Sequence, residues 1–160
     1  MGKKLVVYFS YTGHTKMITD KIKEKLDCDI LKIETVVPYS TDYDTVVNDE
    51  QNSERSNFLP EIKDININLD NYDEIILGTP VWWYRPAPAI RSFLTKYDLT
   101  GKTVIPFATN AGWLGKTFIE IKNMCPNSNI ENEMNIVFES YSDKLITSEQ
   151  EILNWINSLN

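Results

Sequence analysis

The chain has 160 residues, the length of a single domain (1–160) that buries roughly two-thirds of the surface its unfolded form exposes. Hydrophobic residues make up 42% and charged residues 24%, which excludes a disordered chain, and no apolar run reaches the about 18 residues of a membrane span. A net charge of −7 argues against nucleic acid or an anionic membrane as partner, since both reward a basic surface, and is compatible with docking onto a basic partner protein.

Basic Lys3 and Lys4 precede the short apolar run Leu5–Phe9. The run ends in polar residues without a small-residue cleavage pattern, so it reads as a strand covered on both faces and not as a signal peptide. After Ser10-Tyr-Thr-Gly-His-Thr15, the residues Ile18, Ile22 and Leu26 recur at helical spacing. Asp29–Ile33 alternates in polarity, as a strand near a sheet edge does. From 38 to 72 the pattern weakens: Tyr43, Val46 and Val47 can anchor a short helix, while Asn48–Asn57 is polar enough to be a solvated helix end or surface loop. Asp73–Gly78 is again strand-like, and Ile90, Phe93, Leu94 and Tyr97 form the stripe of an amphipathic helix.

Thr103–Thr109 reads as an interior strand, but it contains Pro106, which cannot donate to the ladder. A bulge, or a place where that donor is unneeded, must resolve the conflict. Leu114, Phe118 and Ile121 make another helical stripe, and Asn135–Phe138 a last, shorter strand. The final helix opens on the capping-box spacing Ser148-Glu-Gln-Glu151 and carries Ile152, Leu153, Ile156 and Leu159. Strands alternating with helices imply an α/β, three-layer architecture: a parallel sheet with helices on both faces, because right-handed crossovers require it. The two cysteines, Cys28 and Cys125, form no CxxC pair and read as packed core thiols in a reducing cytoplasm.

In such folds ligands bind beyond the carboxyl ends of the strands, and three strand ends are unusual here. In the first, Ser10, Thr12 and Thr15 offer hydroxyls around Gly13 at a helix start, where free N–H groups and a partial positive charge favour an anion without lysine or arginine. The second, Gly78-Thr-Pro-Val-Trp-Trp-Tyr-Arg-Pro-Ala-Pro88, gathers three aromatics in a proline-braced loop, suited to a flat π-rich ligand; one tryptophan is expected to be a buried anchor. In the third, Thr109-Asn-Ala-Gly-Trp-Leu-Gly115, small residues can aim backbone N–H groups at a heterocycle that Trp113 covers or borders.

Together, S-x-T-G-x-T at 10–15, "GTPVWW" at 78–83, "AIRSFL" at 89–94 and "DLTGKTVIPFATNAG" at 98–112 resemble the flavodoxin family, in its branch with paired tryptophans in the second loop. The resemblance implies a flavodoxin-like, five-stranded parallel sheet of order 2-1-3-4-5 and non-covalently bound FMN. It implies that Ser10, Thr12, Gly13, His14 and Thr15 hold the phosphate. Pro80, Val81, Trp82, Trp83 and Tyr84 would flank the isoalloxazine, with Thr109, Asn110, Ala111 and Gly112 at its pyrimidine edge and Trp113 beside the ring. Relatives commonly carry glycine where this chain has Tyr84, followed by Arg85. In flavodoxins a flexible peptide there flips during one-electron reduction. A tyrosine resists the positive φ such a flip favours, so a poorly stabilised one-electron state is expected. Arg85 is expected to be exposed, or else to raise the flavin potential.

The resemblance implies a redox protein with no catalytic side chain and no metal. It would pass electrons to partner proteins or a small-molecule acceptor, as a monomer or weak dimer. A small FMN-dependent NAD(P)H:quinone-type reductase and a flavin-free interaction module on the same fold are the alternatives. Other signals fall away. Gly101-Lys-Thr103 and Gly115-Lys-Thr117 lack the upstream glycine of a triphosphate loop. The first strand ends without the aspartates of a phosphate-accepting receiver, neither cysteine opens a phosphatase loop, and the single histidine, His14, supports neither a multi-histidine zinc site nor a Ser/His/Asp triad.

Overall fold

Residues 2–42, 44–46 and 59–160 are described by the structure, a computed structural model. In chain order the elements are β1 (Lys4–Tyr8), α1 (His14–Lys25), β2 (Asp29–Lys32), β3 (Glu74–Trp82), β4 (Arg85–Pro86), α2 (Pro88–Lys96), β5 (Thr103–Asn110), α3 (Thr117–Met124), β6 (Asn129–Ile130), β7 (Met134–Val137) and α4 (Glu149–Ser158). A single 3-10 turn, Leu69–Asn71, leads into β3. Of the short helix expected around Tyr43–Val47, residues 44–46 are helical and Val46 is buried. Tyr43, Val47 and the polar stretch Asn48–Asn57 lie outside the described residues.

Strand alternation decides the layers. Leu5, Val7, Ile75 and Leu77 face one side of the sheet and pack under Ile90, Phe93 and Leu94 of α2 and Ile121 of α3. Val6, Ile76, Ile105 and Phe107 face the other, under Ile18 and Ile22 of α1 and Ile152, Trp155 and Ile156 of α4. Both strand faces are therefore apolar, which is why these strands read as continuous hydrophobic runs. Burial of each such side chain contributes roughly 1.5–3 kcal/mol. At α4 the Ser148 hydroxyl accepts the Glu151 N–H at 3.1 Å, as the capping spacing requires. Cys28 and Cys125 are free and buried. Burial pushes the Cys125 thiol up to about 11, so it stays protonated and inert.

The sheet runs β2-β1-β3-β5-β6, all parallel, with β7 continuing along β5 beyond β6. The expected order is present, with β2 at the edge, but among the described residues the strand count is 7 and not five. The fifth strand is split into β6 and β7, and β4 adds a two-residue hairpin arm to β3. The split accounts for Pro106. The carbonyls of Val104 and Asn110 accept from Glu131 and Phe138, on the β6/β7 side. Pro106 shares their parity in the strand, so its nitrogen faces that same side. There β6 pairs only through Val104 and β7 begins at Phe107, so the ladder is already interrupted where the missing donor would stand. Among the described residues, no helix is long and apolar enough to cross a membrane.

Candidate functional site

The carboxyl ends of β1, β3 and β5 open on one side of the sheet. After β1 the chain turns through Gly13, whose φ of 101° is a left-handed value that a β-carbon disfavours, and no atom lies within 4 Å of where such a carbon would sit. Gly13 caps α1 without a side-chain hydrogen bond, and its carbonyl accepts the first helical bond from the Met17 N–H at 2.9 Å. Among the described residues no acceptor takes up the N–H groups of Gly13, His14 or Thr15. These are the unpaired donors that open a helix, and α1 has no acidic residue in its first turn.

The three hydroxyls of this turn have separate positions. Thr12 is exposed at the opening. The Ser10 hydroxyl accepts the Lys16 N–H at 3.3 Å, bracing the helix start. Thr15 is turned inward, fully buried, with its oxygen 2.8 Å from that of Thr109. His14 stacks flat on Phe138, centroids 3.9 Å apart, and places Nε2 2.9 Å from an Asp143 carboxylate oxygen.

The second turn is a hairpin. Val81 pairs with Pro86 and Trp82 with Arg85, leaving Trp83 and Tyr84 as its two central residues at φ 53° and 66°. Two positive φ values define the turn whose twist matches a two-residue hairpin, normally supplied by Asn-Gly. This corrects the expectation from sequence on one point: Tyr84 does stand in the positive-φ region. Trp82 is the anchor, though only partly buried, its ring edge-to-face with Tyr39 at 5.1 Å, Phe9 at 5.7 Å and Tyr11 at 5.8 Å. Trp83 and Tyr84 remain exposed. Arg85 is half-buried and does not line the cleft: its Nε donates to both oxygens of Glu120, at 2.8 and 2.9 Å.

At the third turn the Asn110 side chain organises its own loop. Its Oδ1 accepts the N–H groups of Gly112 at 2.9 Å and Trp113 at 3.0 Å, and its amide donates to Asn135 at 2.6 Å. Two of the amides expected to face a heterocycle are therefore engaged within the loop. The Trp113 ring meets Tyr84 edge-to-face at 6.4 Å. The three turns and a fourth, Phe138–Asp143 after β7, enclose a cleft of about 810 Å³, within the range of small-molecule sites. Among the described residues lining it there is no lysine or arginine; Glu139 and Asp143 are its carboxylates. A second cavity, about 290 Å³, lies beyond the carboxyl ends of α2 and α3 and brings together none of the candidate residues.

The sequence matches the Flavodoxin family over residues 3–159. The chain belongs to the flavodoxin family. A flavoprotein from Lactobacillus acidophilus, solved in complex with FMN, is 26% identical, with a TM-score of 0.72 over 84% of this chain and 93% of that one. A candidate flavoprotein from Bacteroides eggerthii is 29% identical, with a TM-score of 0.78 over 99% of this chain and 98% of that one. A Fusobacterium nucleatum flavodoxin bound to flavin mononucleotide, 16% identical with a TM-score of 0.57 over 99% of this chain and 97% of that one, shares the fold. No curated protein sequence matches this chain.

Of the flavodoxin-type residues read from sequence, Thr12, His14, Pro80, Val81, Trp82, Trp83, Tyr84, Thr109, Asn110, Ala111 and Trp113 line the one cleft. Ser10, Gly13, Thr15 and Gly112 do not line it but shape its turns. Sequence reading missed Tyr11, whose ring borders the cleft, and the whole fourth turn. The signal for the latter was present: Glu139-Ser-Tyr-Ser-Asp143 follows the last strand, where the same strand-end rule applies.

Proposed function

We propose that this chain is a redox protein that transfers electrons through non-covalently bound FMN. The observation that carries the reading is the joining, in one cleft, of a helix start with unused N–H groups and a wall of aromatic rings. The residues fit the cofactor at both ends. The open cradle at Gly13 and the amides of Gly13, His14 and Thr15 suit a phosphate, with the exposed Thr12 hydroxyl beside them. Trp83, Tyr84 and Trp113 offer apolar faces to a flat ring system. FMN, when bound, supplies the electron chemistry, and the protein supplies binding, exposure and potential. Family membership and an FMN complex of a relative support the same cofactor.

The carrier form of this reading has partner proteins with basic surfaces docking on an acidic chain of net charge −7 in the cytoplasm, where two buried free thiols stay reduced. Purified protein titrated with FMN is expected to quench flavin fluorescence at one-to-one stoichiometry and to show little turnover of NADH or NADPH with a quinone unless a reductase is added. Lack of FMN binding refutes the reading; rapid turnover by the protein alone replaces the carrier by a reductase.

A further inference from the structure

Among the described residues four non-glycine positions have positive φ, and only Trp83 and Tyr84 are adjacent. For bulky side chains each is a strained state, disfavoured about tenfold against ordinary backbone. Such a state persists only if its surroundings hold it. The hairpin does not suffice by itself. The pairing of β3 with β5 ends at Pro80 and Thr109, so the two pairs Val81–Pro86 and Trp82–Arg85 stand beyond the sheet. An isolated hairpin of that size is not stable.

The hold comes from the other side, from the residues that open α3. The Tyr84 carbonyl accepts the Lys116 N–H at 2.8 Å. Gly115 lies so close that a β-carbon there would stand 2.3 Å from the Tyr84 β-carbon and 2.6 Å from its carbonyl oxygen. One turn further on, Glu120 takes the Arg85 Nε on both oxygens, with both side chains largely shielded from solvent. All three contacts converge on the carboxyl side of the strained pair, and none of the three residues lines the cleft.

We infer that Gly115, the Lys116 amide and Glu120 form a clamp that holds Trp83-Tyr84 in its left-handed turn and thereby sets the affinity of the site for FMN. These are positioning residues, acting through the aromatic turn. The inference rests on the FMN reading for its ligand, while the clamp itself is a property of the chain.

The test is a pair of substitutions read in two backgrounds. Glu120→Ala is expected to weaken FMN binding about tenfold and to lower hydrogen-exchange protection of the Lys116 amide by a similar factor. In a Tyr84→Gly background the same substitution is expected to change both by about threefold at most, because glycine keeps positive φ unaided at one of the two strained positions. Glu120→Gln, which keeps the shape and one acceptor oxygen, falls between and serves if Glu120→Ala does not fold. General loss of structure predicts equal effects in the two backgrounds, and that result overturns the clamp while FMN binding by the unmodified chain stands. A Lys116 amide unprotected in the unmodified chain overturns it as well. Failure of the unmodified chain to bind FMN instead removes the ligand reading, and the exchange measurement still decides whether the clamp exists.

Discussion

The first and second turns of the cleft both require positive φ, and they meet the requirement in opposite ways. At the first, the left-handed position is Gly13, which adopts φ 101° without steric cost and leaves its neighbours' amides open. At the second, the positions are Trp83 and Tyr84, which must be held there by α3. The difference follows from what each turn presents. The first presents backbone, so a residue without a side chain is suitable. The second presents rings, so glycine would remove the surface the turn exists to display. Strain is tolerated where a side chain is needed and avoided where only the main chain is.

The strongest challenge to this contrast is to put a side chain into the first turn. Gly13→Val places a β-branched residue at φ 101°, where such residues are outliers, and fills the open cradle beside the helix amides. FMN affinity is expected to fall about a hundredfold, measured by fluorescence titration, and the FMN-free protein to lose about 1–3 kcal/mol of stability to the strained backbone. An unchanged affinity would show that the helix start does not hold the phosphate.

A second substitution tests the link between the first and third turns. Thr15→Val removes one partner of the buried pair with Thr109, 2.8 Å apart, and leaves the other hydroxyl without its bond. A loss of about 2 kcal/mol in unfolding free energy is expected, because an unsatisfied buried hydroxyl is more costly than the bond itself is stabilising. Adding Thr109→Val should recover most of it. If the double substitution loses as much as the two single ones summed, the pair is not coupled and the turns are held independently.

The two turns also differ in how far the sequence discloses them. The first is legible because its chemistry is local: a glycine among hydroxyls between a strand and a helix has few other uses, and the structure places it as read, though Thr15 turns inward and Ser10 braces the helix. The parallel sheet with helices on both faces was legible too, since buried strands and amphipathic helices alternate, whereas its strand order follows only from the family resemblance. The second turn was legible in composition but not in conformation. Tyr84 looks like a residue that would refuse positive φ, and only contacts made more than 30 residues away along the chain, at Lys116 and Glu120, explain why it does not. The expected exposure of Arg85 fails for the same reason, since its partner Glu120 is nowhere near it in sequence. Likewise, the split of the fifth strand that accommodates Pro106 is a property of pairing, and pairing is not written in any one segment.

The finest distinction between the turns lies in the sign of a small effect. At an ordinary position, glycine is less stable than alanine because it loses more backbone freedom on folding; at positive φ the order reverses, since alanine then carries a β-carbon into a disfavoured region. Tyr84→Gly is therefore expected to be more stable than Tyr84→Ala by about 1 kcal/mol, measured by denaturant unfolding of the FMN-free protein. Both variants lose the same edge-to-face contact with Trp113, so the comparison isolates the backbone. The reverse order, alanine above glycine, would mean that Tyr84 does not occupy the left-handed region in solution. The second turn would then be strained at Trp83 alone, α3 would have no strained Tyr84 to hold, and the contrast with Gly13 would shrink to that one residue.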